Sequence, residues 1–215
     1  MTEAGPTDPQ ELRARAFWRA WLSVACASLA ALAGWNEARA GCPSTAGCPE
    51  AAVVGVELCD ADMTSLFELA AEAGLGSAAP DYPEIGIGNP STSTVPATIP
   101  CRLLKSIGWT ESAWTQFCAA GCGLSGSTII SFDCGFGVTQ ITSGMSTGSM
   151  GSFLFDPARV AAETDYNIGT GAGILAAKWR VVPYIGDNQP DVVEHWYYAT
   201  WAYNGFAYVN NPNNP

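Results

Sequence analysis

The cysteines constrain this chain more than any other residue type, because disulfides would restrict how its backbone can be arranged. The sequence holds eight cysteines, and all but Cys26 follow residue 40. In an exported protein such a set predicts disulfides. A zinc site is the alternative, and it is disfavoured because the sole histidine, His195, is distant and no C-x-x-C pair exists. The seven later cysteines are Cys42, Cys48, Cys59, Cys101, Cys118, Cys122 and Cys134.

The first 40 residues have the layout of a secretory signal peptide. Arginines at positions 13, 15 and 19 precede an apolar run over residues 20–35, and an Ala-Arg-Ala stretch ends at Ala40. This order of charge, apolar run and small-residue cleavage site predicts export to the periplasm, the cell envelope or the medium. A single weak anchor helix is the alternative, but the run is short and rich in alanine, so we expect no stable membrane span.

An odd number of cysteines after the cleavage site requires one that is not paired within the chain. Cys42 is a candidate, since a cysteine shortly after the apolar run also fits a lipoprotein processing site. Arg39 disfavours lipidation, because lipoprotein processing sites usually have a leucine-like residue three positions before the cysteine. We expect bridges among the cysteines from residue 101 onward, holding a glycine-rich segment against the helix that begins at Cys101.

The negative net charge of the chain argues against several classes of binding partner. The net charge is -11, and removal of residues 1–40 leaves it unchanged because that segment holds four acids and four bases. So acidic a surface disfavours nucleic acid and anionic membranes. A mostly uncharged glycan is compatible with it.

The pattern beyond residue 40 predicts a cysteine-containing N-terminal segment over residues 41–99 and a helical domain over residues 100–215. Residues 64–73 are predicted to be helical, whereas residues 74–99 are rich in Gly, Pro, Ser and Thr and predict a linker. The domain is predicted to be mainly α with a small loop-rich or hairpin segment. Its helices are predicted to begin near Pro100, at a cap formed by Asp165 or Asn167, and near Asp191, the last one ending at Asn204-Gly205.

Glu111 shares the apolar face of the first of these helices. Leu104, Ile107 and Glu111 recur at helical spacing. Burial disfavours a charged carboxylate, so the pKa of Glu111 is expected to rise toward neutrality, which suits a general acid. A charge at a helix end, or a hydrogen-bonded core group, is the alternative explanation.

Four short motifs follow one another along the second half of the chain. They are Glu111-Ser112, then G-F-G-V-T-Q-I over residues 135–141, then Asn167-Ile168 with Gly171, and finally Ala202-Tyr203-Asn204-Gly205. In this order they resemble the soluble lytic transglycosylase domain, a relative of goose-type lysozyme. The resemblance covers residues 100–206 and leaves 41–99 unmatched. It implies a lysozyme-like α+β fold and cleavage of the MurNAc-GlcNAc β-1,4 bond of peptidoglycan, with no cofactor and no metal.

The resemblance also implies a role for each matched residue. Glu111 matches the catalytic acid and base, and Ser112 a neighbour that helps to hold substrate. Gln140 matches a glutamine lining the cleft, Tyr203 a tyrosine near the reacting sugar, and Asn204 its neighbour. Aromatic side chains are candidates for stacking on sugar rings, although most are expected in the core: Trp109, Trp114, Phe136, Trp196 and Trp201.

One departure from the lysozyme pattern bears on mechanism. Thr142 stands about where goose-type lysozymes have a second carboxylate. With one carboxyl group, the resemblance implies substrate assistance, in which the acetamido oxygen attacks and a 1,6-anhydro ring forms without water. Asp133 is the acid that would restore hydrolysis, although a turn residue bonded to its own backbone is the simpler interpretation. A muramidase and a non-catalytic cell-wall binding module therefore remain as alternatives.

Overall fold

The computed structural model describes residues 46–207, and these residues belong to one compact unit. The predicted signal peptide and Cys42 lie outside the described residues. Within residues 46–207 no helix is long and apolar enough to cross a membrane.

Helices and small antiparallel sheets alternate along the chain, which makes the fold mixed α+β. The helices are α1 (Asp60–Ala71), α2 (Cys101–Ser112), α3 (Pro157–Ala162), α4 (Thr164–Trp179) and α5 (Tyr197–Tyr203), with 3₁₀ turns at Gly76–Ala78 and Val193–Trp196. The strands are β1 (Val54–Val56), β2 (Ile85–Ile87), β3 (Ser93–Val95), β4 (Phe117–Cys118), β5 (Ser125–Thr128), β6 (Ser149–Met150) and β7 (Phe153–Leu154). They pair as a three-stranded sheet in the order β1-β5-β4 and as two hairpins, β2-β3 and β6-β7.

Helix α4 is the centre of the fold, and 13 of its 16 residues are buried. Its glycines allow this, because they let other segments approach the helix backbone closely. A Cβ atom at Gly169, Gly171 or Gly173 would overlap Ala79, Thr139 or Phe153, respectively. The predicted cap is wrong: Glu163 is the N-cap residue, and Asp165 and Asn167 lie inside the helix. Asn167 is fully buried there, and its side-chain amide forms hydrogen bonds with Phe136 and Thr139.

The segment predicted to be a linker is packed. Ile85, Ala97 and Ile99 are buried in the same core as Phe67 of α1 and Leu104 of α2. Little in the sequence marks these apolar positions, because they are few, lie among Gly, Pro, Ser and Thr, and are interrupted by Pro96 and Pro100. The core therefore extends across the predicted boundary between residues 99 and 100, and α1 begins at Asp60, four residues before the predicted start.

Disulfides connect the N-terminal segment to the middle of the chain. Cys48 is bonded to Cys134, and Cys59 to Cys122, over sequence separations of 86 and 63 residues. Cys118 is also disulfide-bonded. The bonds agree with the prediction of an exported protein. The expectation of a bridge from Cys101 is wrong, because Cys101 is the free cysteine among residues 46–207.

We expect peptide mapping to recover this pattern. When unreduced protein is unfolded, alkylated and digested, linked peptides should join Cys48 to Cys134 and Cys59 to Cys122. The peptide that contains Cys101 should carry the alkyl group. Recovery of Cys101 in a linked peptide, or alkylation at Cys118, would contradict the arrangement.

Candidate active site

Glu111 lies in the last turn of α2, where the helix ends abruptly. Ser112 is followed by two residues in the left-handed conformation, Ala113 and Trp114, with φ of 52° and 59°. This conformation is uncommon for residues other than glycine. It turns the chain back, so that the Trp114 indole donates a hydrogen bond to the Lys105 carbonyl at 2.8 Å. The tight turn leaves Glu111 at the end of the helix, where it is half-buried.

The environment of Glu111 favours its protonated form. Burial is the main reason why the pKa of this carboxyl group rises from 4.5 to about 7, and the negative charge of Asp133 contributes to the same rise. The rise that the apolar helix face predicts is therefore found. A carboxyl group with this pKa is about half protonated at neutral pH, so it can both give and take a proton there.

Asp133 lies in an exposed turn and has a larger electrostatic role than predicted. Its carboxylate accepts a hydrogen bond from the Ser131 hydroxyl rather than from the backbone. Its charge acts on Glu111, although 22 residues separate the two in sequence. Phe132, which precedes Asp133 in this turn, is 89 % exposed. The turn thus presents a carboxylate and an aromatic ring to solvent, and its carboxylate is close enough to influence Glu111.

The glycine-rich turn, residues 135–141, is held by two buried amide side chains. The Asn167 amide nitrogen donates to the Phe136 carbonyl at 2.8 Å, and its oxygen accepts from the Thr139 backbone N–H at 2.9 Å and the Thr139 hydroxyl at 2.8 Å. The Gln116 oxygen accepts from the Val138 N–H at 3.0 Å. Because buried backbone groups must be paired, these two amides fix the path of the turn.

Glycine is required at the point where the two amides meet the turn. Gly137 has a φ of 65°, and a Cβ atom there would overlap the side chains of Gln116 and Asn167. At Gly171 of α4 a Cβ atom would likewise overlap Thr139. The absence of side chains at both positions brings the turn directly against α4.

Ser112 connects the helix that carries Glu111 to this turn. Its hydroxyl donates to the Val138 carbonyl at 2.7 Å and accepts from the Thr115 N–H at 3.0 Å. The predicted role of Ser112 was to help hold substrate. In the structure its hydroxyl is hydrogen-bonded to the backbone on both sides, so it positions the end of α2 relative to the turn, and the role in holding substrate stays a prediction.

Tyr203, at the end of α5, also contacts this turn. Its hydroxyl donates to the Thr139 carbonyl at 2.8 Å. Burial raises the pKa of this phenol above its usual range, and the charge of Glu111 raises it as well, so the two side chains interact. Tyr203 therefore stays protonated and remains a hydrogen-bond donor at all physiological pH values.

Gln140 and Asn204 are the remaining members of the predicted set. Gln140 is left-handed, with a φ of 47°, and its amide nitrogen donates to the Gly137 carbonyl at 2.7 Å. Its oxygen accepts no hydrogen bond among residues 46–207. Asn204 follows the last residue of α5 and is exposed. Ser112 and Tyr203 thus bond to the glycine-rich turn and Gln140 belongs to it. Glu111 precedes Ser112 in the chain and interacts with Tyr203, whereas Asn204 forms no hydrogen bond with the turn within the described residues.

Sequence reasoning missed the two residues that build the turn. The sequence pattern marked Asn167 as a possible helix cap and as part of a motif, but it assigned this residue no role in the site. Gln116 carried no signal, because a single glutamine in a loop is unremarkable. Of the predicted stacking aromatics, Phe136 and Trp196 are fully buried, while Trp109 is 48 % exposed. The described residues contain no cluster of side chains suited to a metal ion.

Comparisons of the chain with protein-family models, with characterised proteins and with solved structures found no match. A function must therefore be inferred from the chemistry of the site itself and from the order of its motifs.

Proposed function

We propose that the protein is a peptidoglycan lytic transglycosylase with Glu111 as its catalytic acid and base. The observation that carries the proposal is the state of this carboxyl group. It is half-buried at a helix end, and its pKa is raised to about 7 chiefly by burial. A glycosidic oxygen is a weak base, so its departure at neutral pH needs a carboxyl group that still holds a proton.

In this reaction Glu111 carries out both proton transfers, first as an acid and then as a base. Its carboxyl group protonates the leaving glycosidic oxygen while the acetamido oxygen of the substrate attacks the anomeric carbon. The resulting glutamate then removes the proton of the sugar 6-hydroxyl, whose oxygen closes the 1,6-anhydro ring and displaces the acetamido oxygen. Glu111 ends the cycle protonated, and no water is consumed. An attacking group within the substrate also has a high effective concentration.

The residues around the glycine-rich turn support this chemistry by position and charge. Tyr203 is a neutral hydroxyl close to Glu111, so it does not compete for the transferred proton. The unoccupied oxygen of the Gln140 amide is suited to accept a hydrogen bond from a sugar hydroxyl or acetamido N–H. The exposed ring of Phe132 is suited to stack on a sugar face, as is the half-exposed ring of Trp109.

The products test the proposal directly. Purified peptidoglycan should be digested with the protein and the muropeptides analysed by mass spectrometry. We expect new ends that carry 1,6-anhydromuramic acid, which are one water lighter than hydrolytic ends. Reducing ends instead would identify a hydrolase, and intact glycan strands would identify a binding module.

The second candidate is a muramidase, and the interaction of Asp133 with Glu111 specifically favours it. Hydrolysis with two carboxyl groups needs one that is protonated and one that is charged. Glu111 with its raised pKa and the solvent-exposed Asp133, whose charge acts on Glu111, form such a pair. In that reaction Asp133 would activate a water molecule or stabilise the charged sugar.

Asp133→Asn separates the two candidates through the pH profile. Because the charge of Asp133 helps to raise the pKa of Glu111, its removal should lower that pKa. The activity of a general acid is lost as pH rises through its pKa, so the alkaline limb of the rate profile should move to lower pH. A transglycosylase should keep most of its activity below the limb. Loss of activity at every pH, together with loss of reducing ends, would assign Asp133 to hydrolysis.

A further inference from the structure

A second site is suggested by a cavity of about 410 Å³ at the other end of α4. It lies between the β2-β3 hairpin and the residues at and beyond the end of α4. Asn167, which binds the glycine-rich turn, and Trp179, which lines the cavity, are 12 residues apart on this helix. At 1.5 Å per residue, about 18 Å of helix separates the two sites. The cavity is therefore distinct from the surroundings of Glu111.

The walls of the cavity are fixed by hydrogen bonds between its two sides. The Gly86 carbonyl in β2 accepts from the Trp179 indole at 2.8 Å and from the Asn188 amide at 2.8 Å. The backbone N–H of Gly88 also donates to the Asp187 carbonyl at 3.1 Å. Binding sites for small molecules are usually preformed in this way and have volumes of this order.

Opposite charges line the cavity without neutralising each other. Glu84 accepts a hydrogen bond from the Thr94 hydroxyl at 2.7 Å, and Arg180 donates one to the Ser152 hydroxyl at 3.3 Å. Within residues 46–207 neither side chain forms an ion pair. Tyr184 adds a ring that is 40 % exposed, and the Thr94 hydroxyl adds a polar contact.

We infer that this cavity binds a zwitterionic amino-acid or short-peptide group, with Arg180 on its carboxylate and Glu84 on its ammonium. A guanidinium matches the geometry of a carboxylate, and a carboxylate accepts the N–H groups of an ammonium. Tyr184 supplies the apolar surface for the carbon skeleton between the two charges. A free peptide carries both charges at its termini. The N-terminus of a muropeptide stem is acylated by the lactyl group of the sugar, so a stem peptide offers the same two charges only where a diamino acid places a side-chain ammonium near a free carboxylate.

Calorimetry with the full chain tests the inference, using trialanine as the probe. Trialanine should bind, whereas its N-acetyl and C-amide derivatives should each bind at least about tenfold more weakly, since each lacks one charge. A disaccharide-peptide whose stem ends in a diamino acid with a free carboxylate and a free side-chain ammonium, and the same disaccharide without peptide, then identify the source. If the disaccharide-peptide binds more tightly than trialanine, the ligand is a stem peptide, and if it does not, the ligand is a free peptide.

Variants assign each charge to its partner. Arg180→Gln should remove the preference for trialanine over its amide, and Glu84→Gln the preference over its N-acetyl derivative. Arg102→Gln, which changes an exposed arginine on α2, should bind as the parent does. Glu111→Gln should also bind normally, so a failure of the proposed catalysis leaves this inference intact. Equal binding of trialanine and both derivatives, or variants that retain both preferences, would overturn it.

Discussion

Glu111→Gln should reduce the rate of peptidoglycan cleavage by about 10²–10⁴-fold, the range for loss of a general acid or base. The amide has nearly the same shape as the protonated carboxyl group, so packing at the end of α2 is kept. It cannot release a proton to the glycosidic oxygen, and it cannot take one from the sugar 6-hydroxyl. Initial rates on purified peptidoglycan would measure the effect.

Glu72→Gln is the matched control for this variant. Glu72 is exposed at the end of α1, so the same chemical change should leave the rate unaltered. Thermal unfolding should show that both variants are as stable as the parent or more so, since a neutral amide at position 111 avoids the burial of a charge. A Glu111→Gln protein that cleaves at more than a tenth of the parent rate would remove Glu111 from its proposed role.

Asn167→Leu should lower the free energy of unfolding by about 2–4 kcal/mol, because it removes four buried hydrogen bonds and leaves the Thr139 N–H without its partner. Leucine fills a similar volume but offers no hydrogen bond. It would leave the Phe136 and Val160 carbonyls and the N–H and hydroxyl of Thr139 without the Asn167 amide. Denaturant unfolding with the disulfides intact would measure the change.

Asn204→Leu provides the same substitution at an exposed asparagine. It should change the free energy of unfolding by less than about 0.5 kcal/mol, as expected for a surface position. If Asn167→Leu and Asn204→Leu were equally stable, the Asn167 amide would not be holding the glycine-rich turn in the way that its hydrogen bonds indicate.

Local pattern was enough to predict the helix that carries Glu111. Its apolar residues recur at helical spacing, Pro100 precedes its first residue, and Glu111 follows on the same face. The rise in the pKa of Glu111 follows from that placement, because a carboxyl group on the buried face of a helix loses hydration. The end of the last helix at Asn204 is predicted for similar reasons, but its predicted start near Asp191 is wrong, because a 3₁₀ turn over Val193–Trp196 precedes the helix and α5 begins only at Tyr197.

Contacts between distant segments were beyond the reach of periodicity. Ile85, Ala97 and Ile99 belong to the core although they lie in a segment of loop-like composition. Ala97 and Ile99 do alternate as in a strand, but the run is short, Pro96 and Pro100 interrupt it, and Ile85 stands apart, so the local pattern did not place these residues in the core. The pairing of the cysteines was equally hidden, since spacing alone does not select among the possible bridges.

The residue types at the site, and which of them share a helix face, can be read directly from the amino-acid sequence. What each residue does depends on the segments that folding brings against it. The Ser112 hydroxyl became a backbone link because the Val138 carbonyl of the glycine-rich turn lies 2.7 Å from it. Asn167 and Gln116 became the support of that turn because burial obliges every polar group there to find a partner. These hydrogen bonds join segments that are far apart in the chain, so no local pattern in the sequence predicts them.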